Sequence, residues 1–440
     1  MPNTAGNYPL ISTHLNLSNQ CIAAGDTEEA LKHLYKVLQL DPRHVPAYNN
    51  LGRLLYKQGR VQEAIPYFEK ALRMDPNYGE AHYNLALSLS KQNQLDRAVT
   101  HYQETLRLFP EHPNAHFNVG LIYVEESNYP LAENHLSKAL ALEPNNIEAL
   151  RQLGQVYVQL GKIEPAIEIY QKALLLSPNL GDVYHNLAIL YLRNQNHAQA
   201  LVHFQKALEL DPRNDTAKHM ISALSALPTS AAPSEYIARL FDQYADYYDT
   251  HLKTQLNYQV PGLLRNAVGR CLGSNPKAGR ILDLGCGTGL CGVMFRDLAL
   301  ELIGVDLSPK MIEKSTVLGA YDKLIVSDLN PYLSQVELIP FDLIIAGDVL
   351  VYSGDLEALF INIAKNLALK GLFAFSTEFL ERGNYSLQTT GRFAHSSLYI
   401  RELAQNNGFL ICAEEMITLR EQAGVAIQGQ IFVLSTRTQR

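Results

Sequence analysis

The sequence lacks the features that would place it in a membrane or in an oxidising compartment. Its 440 residues contain no run of 18 apolar residues, which a membrane-spanning helix would need. The first twenty residues contain no basic stretch followed by an apolar core, so no signal peptide is predicted. The five cysteines are odd in number and form no CxxC pair, so neither a disulfide framework nor a metal site is predicted. These absences predict a cytoplasmic protein with no membrane partner.

An excess of basic charge is also missing. The chain has 37 Lys and Arg residues against 44 Asp and Glu residues, a formal net charge of −7. Acidic residues outnumber basic ones on both sides of residue 233. Because non-specific binding to phosphate backbones depends on clustered basic residues, we do not expect nucleic acid as a partner.

What is present in the first half is a repeat of 34 residues. A proline recurs at this spacing six times, and an alanine keeps the same spacing twelve residues before each proline. The prolines are Pro42, Pro76, Pro110, Pro144, Pro178 and Pro212. A period of this length predicts helix-turn-helix units that bury their apolar faces by stacking on one another.

Other positions of the repeat have constant residue types. With the proline counted as position 32, position 8 is small in every unit and position 24 is a large apolar residue. Small residues let two helices approach closely, and the large residue fills the gap between units. This pattern resembles the tetratricopeptide repeat (TPR) over residues 11 to about 212. The resemblance implies an α-solenoid, a right-handed superhelix whose first helices line an inner groove.

Position 6 of the repeat carries an amide in all six units. The residues are Asn16, Asn50, Asn84, Asn118, Gln152 and Asn186. Amides are mediocre helix formers, so each one either caps a neighbouring backbone group or simply faces water, or else the six form a ladder along the groove. The ladder resembles the one in the superhelix of the nucleocytoplasmic N-acetylglucosamine transferase, which implies an extended peptide held by its backbone. We predict a groove for a protein or peptide partner at Asn50, Asn84, Phe117, Asn118, Leu121 and Asn186.

Between the repeats and the second half lies a short segment rich in Pro, Ser and Ala, residues 226–235. It has no periodic apolar pattern, which is typical of a linker. We predict a repeat domain over 11–222, a linker over 223–235 and a second domain over 236–440. Aromatic residues recur at helical spacing over 236–258, which predicts either a helix packed on the second domain or a lid over its ligand.

From Gly279 onward, short apolar runs alternate with amphipathic stretches. This alternation predicts a doubly wound, Rossmann-like parallel sheet of seven strands. The loop Gly285–Gly289 follows the first strand and opens a helix, and its glycines permit a close approach of a ligand to the backbone. It lacks the third glycine of a GxGxxG dinucleotide loop, which disfavours a dehydrogenase. Asp306, at the end of the second strand, can accept two ribose hydroxyls.

These residues resemble the class I S-adenosylmethionine-dependent methyltransferases over about 279–437. The resemblance rests on ILDLGCGTG (281–289), GVDLSPKMI (304–312), SDLNPY (327–332) and FDLIIAGDVLVY (341–352). The whole chain resembles the bacterial predicted methyltransferases with TPR repeats. The resemblance implies that S-adenosylmethionine is the cofactor and that these residues bind it: Asp283, Gly285, Cys286, Gly287, Thr288, Gly289, Asp306, Leu307, Met311, Asp328, Leu329 and Asp348.

The methyl acceptor and the catalytic residues are less marked in the sequence. Candidate bases are Tyr352, His395 and Glu378, and candidate substrate contacts are Arg392 and His395, which follow the fifth strand. The fourth strand ends in GDVLVY, which resembles neither the Asn-Pro-Pro-aromatic sequence of amide and adenine N-methylating enzymes nor the Pro-Cys of cytosine C5 methyltransferases. We predict methyl transfer to a protein or protein-borne group recruited by the repeats. An adaptor with an inactive cofactor domain and a small-molecule methyltransferase are the alternatives.

Overall fold

The computed structural model describes residues 4–245, 258–272, 279–335, 339–422 and 425–436. The chain divides into two compact units, Met1–Val183 and Tyr184–Arg440.

Helices of 13 or 14 residues dominate the described residues up to 224, as the 34-residue period predicts. Two helices belong to each repeat, and one further helix follows the sixth repeat. They are α1 Thr4–Ala24, α2 Thr27–Leu40, α3 Val45–Lys57, α4 Val61–Met74, α5 Gly79–Lys91, α6 Leu95–Leu108, α7 Pro113–Glu125, α8 Tyr129–Leu142, α9 Ile147–Gln159, α10 Ile163–Leu176, α11 Gly181–Arg193, α12 His197–Leu210 and α13 Asp215–Leu224.

The two helices of a repeat touch where the sequence has its small residue. A Cβ atom added to Gly52 would lie 2.6 Å from the Phe68 ring, and one added to Gly154 would lie 2.4 Å from the Tyr170 ring. These distances are shorter than van der Waals contact, so a larger residue would force the helices apart. The predicted close approach of the two helices at the small residue is confirmed in these repeats. The large residue at position 24, expected in the gap between units, packs on position 8 of its own repeat.

Histidine pairs join positions 4 and 23 in three repeats of the first unit. The Nδ1 atoms are 3.0 Å apart in His14–His33, 2.9 Å in His82–His101 and 3.2 Å in His116–His135.

The tautomers of one pair follow from a third partner. His82 Nε2 lies 3.0 Å from the Pro76 carbonyl oxygen. Because a carbonyl only accepts, this nitrogen carries the hydrogen, so Nδ1 of neutral His82 accepts from Nδ1–H of His101. In the second repeat the Tyr48 hydroxyl makes the equivalent bond to the Pro42 carbonyl oxygen, at 3.1 Å.

The His116–His135 pair should make the stability of the repeats depend on pH, because burial lowers the pKa of both rings. Burial lowers the pKa of His135 to about 4, with smaller contributions from His116 and Lys138. Histidines of the unfolded chain titrate near 6.5, so the stabilisation is complete above that pH and is lost as the pH falls towards the folded pKa. Between about pH 7 and pH 5, we expect the His116–His135 pair to lower the free energy of unfolding by about 1 kcal/mol, because the His135 ring remains partly exposed.

The second repeat supplies the control for this prediction. Replacing both members of the pair with tyrosine copies the natural Tyr48–Tyr67 arrangement, whose rings stack 6.5 Å apart. Urea unfolding at several pH values should show a shallower loss of stability for His116→Tyr/His135→Tyr than for the wild type. Identical pH profiles would contradict the assignment.

The described residues of the second unit also contain one mixed sheet. Its strand order is β3-β2-β1-β4-β5-β7-β6, and β9 pairs antiparallel with both β5 and β8. The strands are β1 Gly279–Leu284, β2 Ala299–Asp306, β3 Lys323–Val326, β4 Phe341–Ala346, β5 Leu367–Phe379, β6 Tyr385–Leu387, β7 Phe393–His395, β8 Phe409–Gln422 and β9 Val425–Thr436. The helices around it are α14 Ser234–Tyr244, α15 Val260–Leu272, α16 Leu290–Phe295, α17 Pro309–Leu318, α18 Leu329–Leu333, α19 Glu357–Asn366 and α20 Ser397–Asn406.

The seven predicted strands correspond to β1–β5, β8 and β9. The sheet has nine strands in its described residues because β6 and β7, of three residues each, join it as well. Segments of three residues are too short to show a period in the sequence, so the predicted number of seven was wrong.

Both faces of the central strands are buried. Leu282, Ile344 and Phe373 belong to one apolar cluster, and their neighbours Ile281, Leu343 and Leu372 belong to another. Such continuous apolar strands are typical of a parallel sheet covered on both faces. The carboxyl ends of β1, β2 and β4 therefore meet at one edge, where the candidate site lies.

The segment predicted as a linker is bonded to the second unit through its backbone. Ala232 N–H donates to the Tyr352 carbonyl oxygen at 2.9 Å, and Gly354 N–H donates to the Ser230 carbonyl oxygen at 2.8 Å. Ala231 and Ser353 form an antiparallel bridge. The position of this segment is thus fixed by Tyr352–Gly354, which follow β4. The domain boundaries at 222 and 236 stay a prediction.

Candidate functional site

The glycine loop after β1 has the conformation that its glycines predict. Gly285, Gly287 and Gly289 have φ values of 66°, 53° and 99°, in the left-handed region that favours glycine. A Cβ atom on Gly285 would lie 2.3 Å from Val349 Cγ2, whereas no atom lies within 4 Å of the Cβ position of Gly287. The loop therefore packs tightly on one side and has free space beside Gly287.

Asp306 ties this loop to the end of β2. Its Oδ2 accepts from Gly287 N–H at 2.9 Å, and its Oδ1 accepts from Ser308 N–H at 2.8 Å. Burial raises the pKa of Asp306, although these backbone donors oppose the shift. The sequence predicted this carboxylate next to the loop, and the structure brings the two together.

Asp283, at the end of β1, is almost fully buried. The Tyr321 hydroxyl donates to its Oδ2 at 2.6 Å, while its Oδ1 has no hydrogen-bond partner among the described residues. Burial raises the pKa of Asp283 to about 7, and the nearby charge of Asp306 adds to the shift. A buried oxygen without a donor is costly, which makes this carboxyl a candidate for a cationic or hydrogen-bonding ligand.

The other predicted cofactor residues line the same edge of the sheet. Cys286, Thr288 and Met311 are buried, whereas Leu307, Asp328 and Leu329 are half-buried. Burial raises the pKa of the Cys286 thiol well above its usual value, which fits a small packing residue and opposes a thiolate nucleophile.

Helix α14 adds two contacts that the sequence did not predict. Ser234 Oγ donates to Asp328 Oδ2 at 2.7 Å. Asp242 Oδ1 accepts from the Ser308 hydroxyl and from Lys310 N–H, at the amino end of α17. The one available signal was the polar Asp242 beside Leu240 and Phe241 in an apolar stretch.

Helix α14 also packs against Tyr352 through an aromatic contact. The rings of Phe241 and Tyr352 lie 5.5 Å apart, edge to face. This contact and the three hydrogen bonds of Ser234 and Asp242 agree with the packed-helix alternative for residues 234–244. The rest of the predicted aromatic segment, residues 246–257, lies outside the described residues.

Four charged side chains, Asp348, Glu378, Arg392 and Arg420, form what we call the arginine–carboxylate cluster. Arg392 contacts Asp348 at 3.3 Å and Glu378 at 3.5 Å, and Arg420 bonds to Glu378 and lies 3.5 Å from Asp348. The Arg392 side chain is 19% exposed and the other three are at most 8% exposed. Arg392 is therefore the member that a ligand can reach.

Asp348 occupies a strained position in this cluster. Its φ is 58°, a left-handed value that non-glycine residues rarely adopt. Ser376 Oγ accepts its backbone N–H at 2.9 Å. Strain of this kind persists where surrounding contacts fix it and is common at functional sites.

Tyr352 stands beside the cluster, and Arg392 Nη2 donates to its hydroxyl oxygen at 2.9 Å. Burial raises the pKa of the Tyr352 phenol, which Arg392 only partly offsets. A neutral phenol is a hydrogen-bond donor and a poor base at neutral pH. Glu378, the second predicted base, is held in ion pairs by both arginines.

His395, the third candidate base, is fully buried. Its Nε2 lies 2.9 Å from the Ser353 carbonyl oxygen, and burial lowers its pKa to about 4. Its Nδ1 has no partner among the described residues. The His395 ring is therefore neutral. Its contacts with the carbonyl oxygens of Ser353 and Gly354 help to hold the turn at residues 353–354 in place. The roles predicted for these residues stay predictions.

The first unit contains a cavity of about 280 Å³. It lies between α3, α5 and the turn before α7. Asn50 and Asn84 line it, together with Asn49, Arg53, Tyr78, Gly79, Glu80, Tyr83, Phe109 and His112. The other predicted groove residues Phe117, Asn118 and Leu121 are half-buried on α7, outside this lining, and Asn186 belongs to the second compact unit.

The position-6 amides bond to the preceding repeat in two described cases. Asn84 Nδ2 donates to Asn49 Oδ1 at 2.9 Å, and Asn118 Nδ2 donates to the Tyr83 hydroxyl at 3.4 Å. Neither of the two sequence alternatives included this contact. Asn50 has no side-chain hydrogen bond within the part of the chain that the structure describes.

Comparison with protein families assigns both parts of the chain. Models described as tetratricopeptide repeat match residues 10–77, 45–111, 83–147, 123–190 and 181–214. A model described as methyltransferase domain matches residues 256–419. The chain carries tetratricopeptide repeats and a methyltransferase domain. The predicted fold, a helical solenoid followed by an α/β methyltransferase domain, is confirmed apart from the strand number.

Human methyltransferase-like protein 27 is similar to a smaller part of the chain. The two are 37% identical over 91 residues, which is 20% of this chain and 37% of that protein. The match thus spans little more than a third of the relative's length.

Several solved TPR structures are similar to the repeat part. YrrB, described as a TPR protein with an unusual peptide-binding site, is 22% identical, with a TM-score of 0.40 and coverage of 42% of this chain and 96% of YrrB. MamA from Desulfovibrio magneticus RS-1 is 29% identical, with a TM-score of 0.36 and coverage of 39% and 97%.

The described residues lack two further features. No helix among them is both long and apolar enough to cross a membrane. They also contain no group of three or more His, Cys, Asp or Glu side chains that could hold a metal ion.

Proposed function

We propose that the chain is a class I S-adenosylmethionine-dependent methyltransferase whose acceptor is a protein, or a group carried by a protein, that the repeats recruit. The observation that carries the proposal is the bond between the Asp306 carboxylate and Gly287 N–H at 2.9 Å, which holds beside the glycine loop the carboxylate that we assign to the ribose hydroxyls. The bound cofactor would supply an activated methyl group on a sulfonium centre.

The described residues fit this cofactor in three respects. The space beside Gly287 permits a close approach of a ligand to the loop. Asp306 offers two carboxylate oxygens for the ribose hydroxyls, and Asp283 Oδ1 lacks a donor that a methionine ammonium, directly or through water, could provide. Leu307, Met311, Asp328 and Leu329 would surround the adenine, and Asp348 would close the methionine end.

The chain's own contribution to transfer is mainly positioning and exclusion of water. The rate of an in-line methyl transfer increases most when the methyl donor and the acceptor are held in the correct relative orientation. Tyr352, as a neutral phenol, would donate a hydrogen bond to the acceptor. Arg392 would orient the acceptor. The packing of Phe241 on Tyr352 would keep this side of the site dry.

Cofactor affinity should increase with pH through neutrality if Asp283 faces the cofactor's positive charge. A cation binds the ionised carboxylate better, and the pKa of Asp283 without ligand is about 7. Below that pH, affinity should fall by up to about tenfold per pH unit, and above about pH 8 it should level off. Calorimetry from about pH 6 to pH 8.5 measures this dependence. Asp283→Asn should flatten it, and an equally steep profile in that variant would count against the role of Asp283.

Recruitment by the repeats is supported by the cavity at Asn50 and Asn84. Both amides keep hydrogen-bonding capacity towards it, since Asn84 uses one N–H for Asn49 and an amide has four hydrogen-bonding sites. An extended peptide offers a backbone donor and acceptor at each residue, which such amides can pair with. Arg53 and Glu80 on the same lining would select for charged side chains on the peptide.

The test uses the full chain with methyl-labelled cofactor and cell extract. Asn50→Ala/Asn84→Ala should raise the extract concentration needed for half-maximal labelling of protein by about fivefold to 150-fold, because each of the two amides would contribute one ordinary hydrogen bond. The matched control is Asn145→Ala, an exposed asparagine in the turn before α9.

The outcomes of this experiment separate the three functions. Unchanged labelling of protein in the double variant would mean that this cavity does not recruit the acceptor. Label found only in small molecules would favour the small-molecule methyltransferase. Cofactor binding without any labelled product would favour the adaptor.

A further inference from the structure

The helix that follows the sixth repeat touches the methyltransferase domain through one buried histidine. His219 on α13 is 3% exposed, and its Nε2 lies 2.8 Å from the Gly391 carbonyl oxygen. Because a carbonyl only accepts, Nε2–H of His219 donates this bond. The Tyr236 ring lies 4.8 Å from the His219 ring and covers its face.

Gly391 closes the turn between β6 and β7. Its N–H donates to the Gln388 carbonyl oxygen, and Gln388 N–H donates to the Arg392 carbonyl oxygen. Gly391 has a φ of 78°, and a Cβ atom there would lie 3.0 Å from Met220 Sδ on α13. The turn is thus pressed against α13 at a position that only glycine adopts easily.

A second contact joins α13 to the same hairpin. Met220 and Ala223 belong to an apolar cluster with Ala188 and Phe204 of the sixth repeat, and Leu387 of β6 packs on this cluster. The β6–β7 hairpin therefore meets α13 both at its turn and along β6.

The residue after Gly391 is Arg392, the exposed member of the arginine–carboxylate cluster. Its guanidinium lies 3.3 Å from Asp348 and 2.9 Å from the Tyr352 hydroxyl. The contacts to Asp348 are long for a charge-assisted bond, so the bond to the Tyr352 hydroxyl is the short polar contact of this guanidinium. Its direction depends on where the backbone at residues 391–392 lies.

We propose that His219 is a positioning residue that fixes the β6–β7 turn, so that the guanidinium of Arg392 faces Tyr352 and Asp348 at the methyl-transfer site. The inference rests on the proposed function, since it places acceptor binding at this cluster. On this proposal, α13, the last helix of the repeat half, helps to position a side chain of the methyl-transfer site. Removing α13 would then disorder Arg392 even with the whole sheet retained.

The experiment compares full-length variants at this position. His219→Leu removes the donor and keeps an apolar side chain of similar size, and His219→Gln keeps an N–H donor at similar reach. His197→Leu, at an exposed histidine on α12, is the control. Should His219→Leu unfold, His219→Asn, polar but too short to reach Gly391, takes its place.

Three measurements are made on each variant. The first is the nuclear magnetic resonance signal of the Arg392 Nη–H groups, assigned by its disappearance in Arg392→Lys. The second is the affinity for S-adenosylmethionine by calorimetry. The third is the rate of protein labelling in extract, split into its maximum and its half-saturation concentration.

In His219→Leu, we expect cofactor affinity within about twofold of the wild type, because His219 lies outside the cofactor contacts. The Arg392 Nη–H signals, which require slow rotation of the guanidinium, should be lost. The maximal labelling rate should fall by about tenfold, which corresponds to the free energy of one ordinary hydrogen bond. His219→Gln should restore both.

Normal Arg392 signals in His219→Leu would overturn the proposal, and so would a loss that His219→Gln does not repair, since packing alone would then explain it. A wild type that binds no S-adenosylmethionine would defeat the proposed function instead. The Arg392 signals would still decide the role of His219.

Discussion

Replacing Asp306 with alanine should weaken binding of S-adenosylmethionine by about 1.5–3 kcal/mol, which is roughly tenfold to 150-fold in affinity. The variant would lose the two charge-assisted hydrogen bonds that the carboxylate makes to the ribose hydroxyls. It would also lose its bonds to Gly287 N–H and Ser308 N–H, so the glycine loop would no longer be tied to β2. Both losses act in the same direction.

Calorimetry on the full chain measures this effect, with Asp297→Ala as the control. Asp297 is an aspartate of the same domain whose side chain is 68% exposed and pairs with Arg265 at the surface. An Asp306→Ala variant that binds the cofactor as tightly as the Asp297→Ala variant would remove Asp306 from the cofactor site.

Replacing Arg420 with methionine should lower the free energy of unfolding by about 3–5 kcal/mol, the usual cost of breaking a buried ion pair. The Arg420 side chain is 5% exposed and pairs with both Glu378 and Asp348. Its removal leaves two buried carboxylates with only the partly exposed Arg392 between them. The loss of one cation from a balanced cluster is what makes the effect large.

Two further variants test the cause of this destabilisation. Adding Glu378→Gln to Arg420→Met should recover about half of the lost stability, because it removes one of the unpaired charges. Arg401→Met breaks a surface pair with Glu414 in the same domain and should cost under about 1 kcal/mol. Urea unfolding measures the free energy of unfolding of each variant. If Arg420→Met lowers it by no more than Arg401→Met does, the cost of breaking the buried ion pairs is contradicted.

The sequence predicts the repeats well because their signal is local and periodic. Position 8 meets position 24 within one repeat, as Gly154 and Tyr170 do, and such contacts follow from a count of residues. The same numbering of the repeat places His82 and His101 at positions 4 and 23. The histidine pairs could therefore have been predicted from the sequence, and they were missed.

The candidate site was predictable in part for a similar reason. Gly287 follows β1 and Asp306 ends β2, and adjacent parallel strands bring their carboxyl ends together. Arg420 gave no such signal, since it lies on β8, 72 residues from Asp348 in sequence. The contact between His219 and Gly391 spans 172 residues, and no local pattern marks either of them.

The segment at 226–235 shows the limit of composition as a guide. Its Pro, Ser and Ala content is typical of a linker, but composition says nothing about backbone partners. Ser230 and Ala232 bond to the backbone of Tyr352 and Gly354, a pairing that no period in the sequence announces. A segment predicted to connect two domains is in fact attached to the candidate site.

The most direct test of the central claim is calorimetric titration of the full-length protein with S-adenosylmethionine and, separately, with NAD. We expect saturable binding of one S-adenosylmethionine per chain and no measurable binding of NAD. Saturable binding of NAD together with no binding of S-adenosylmethionine would contradict it.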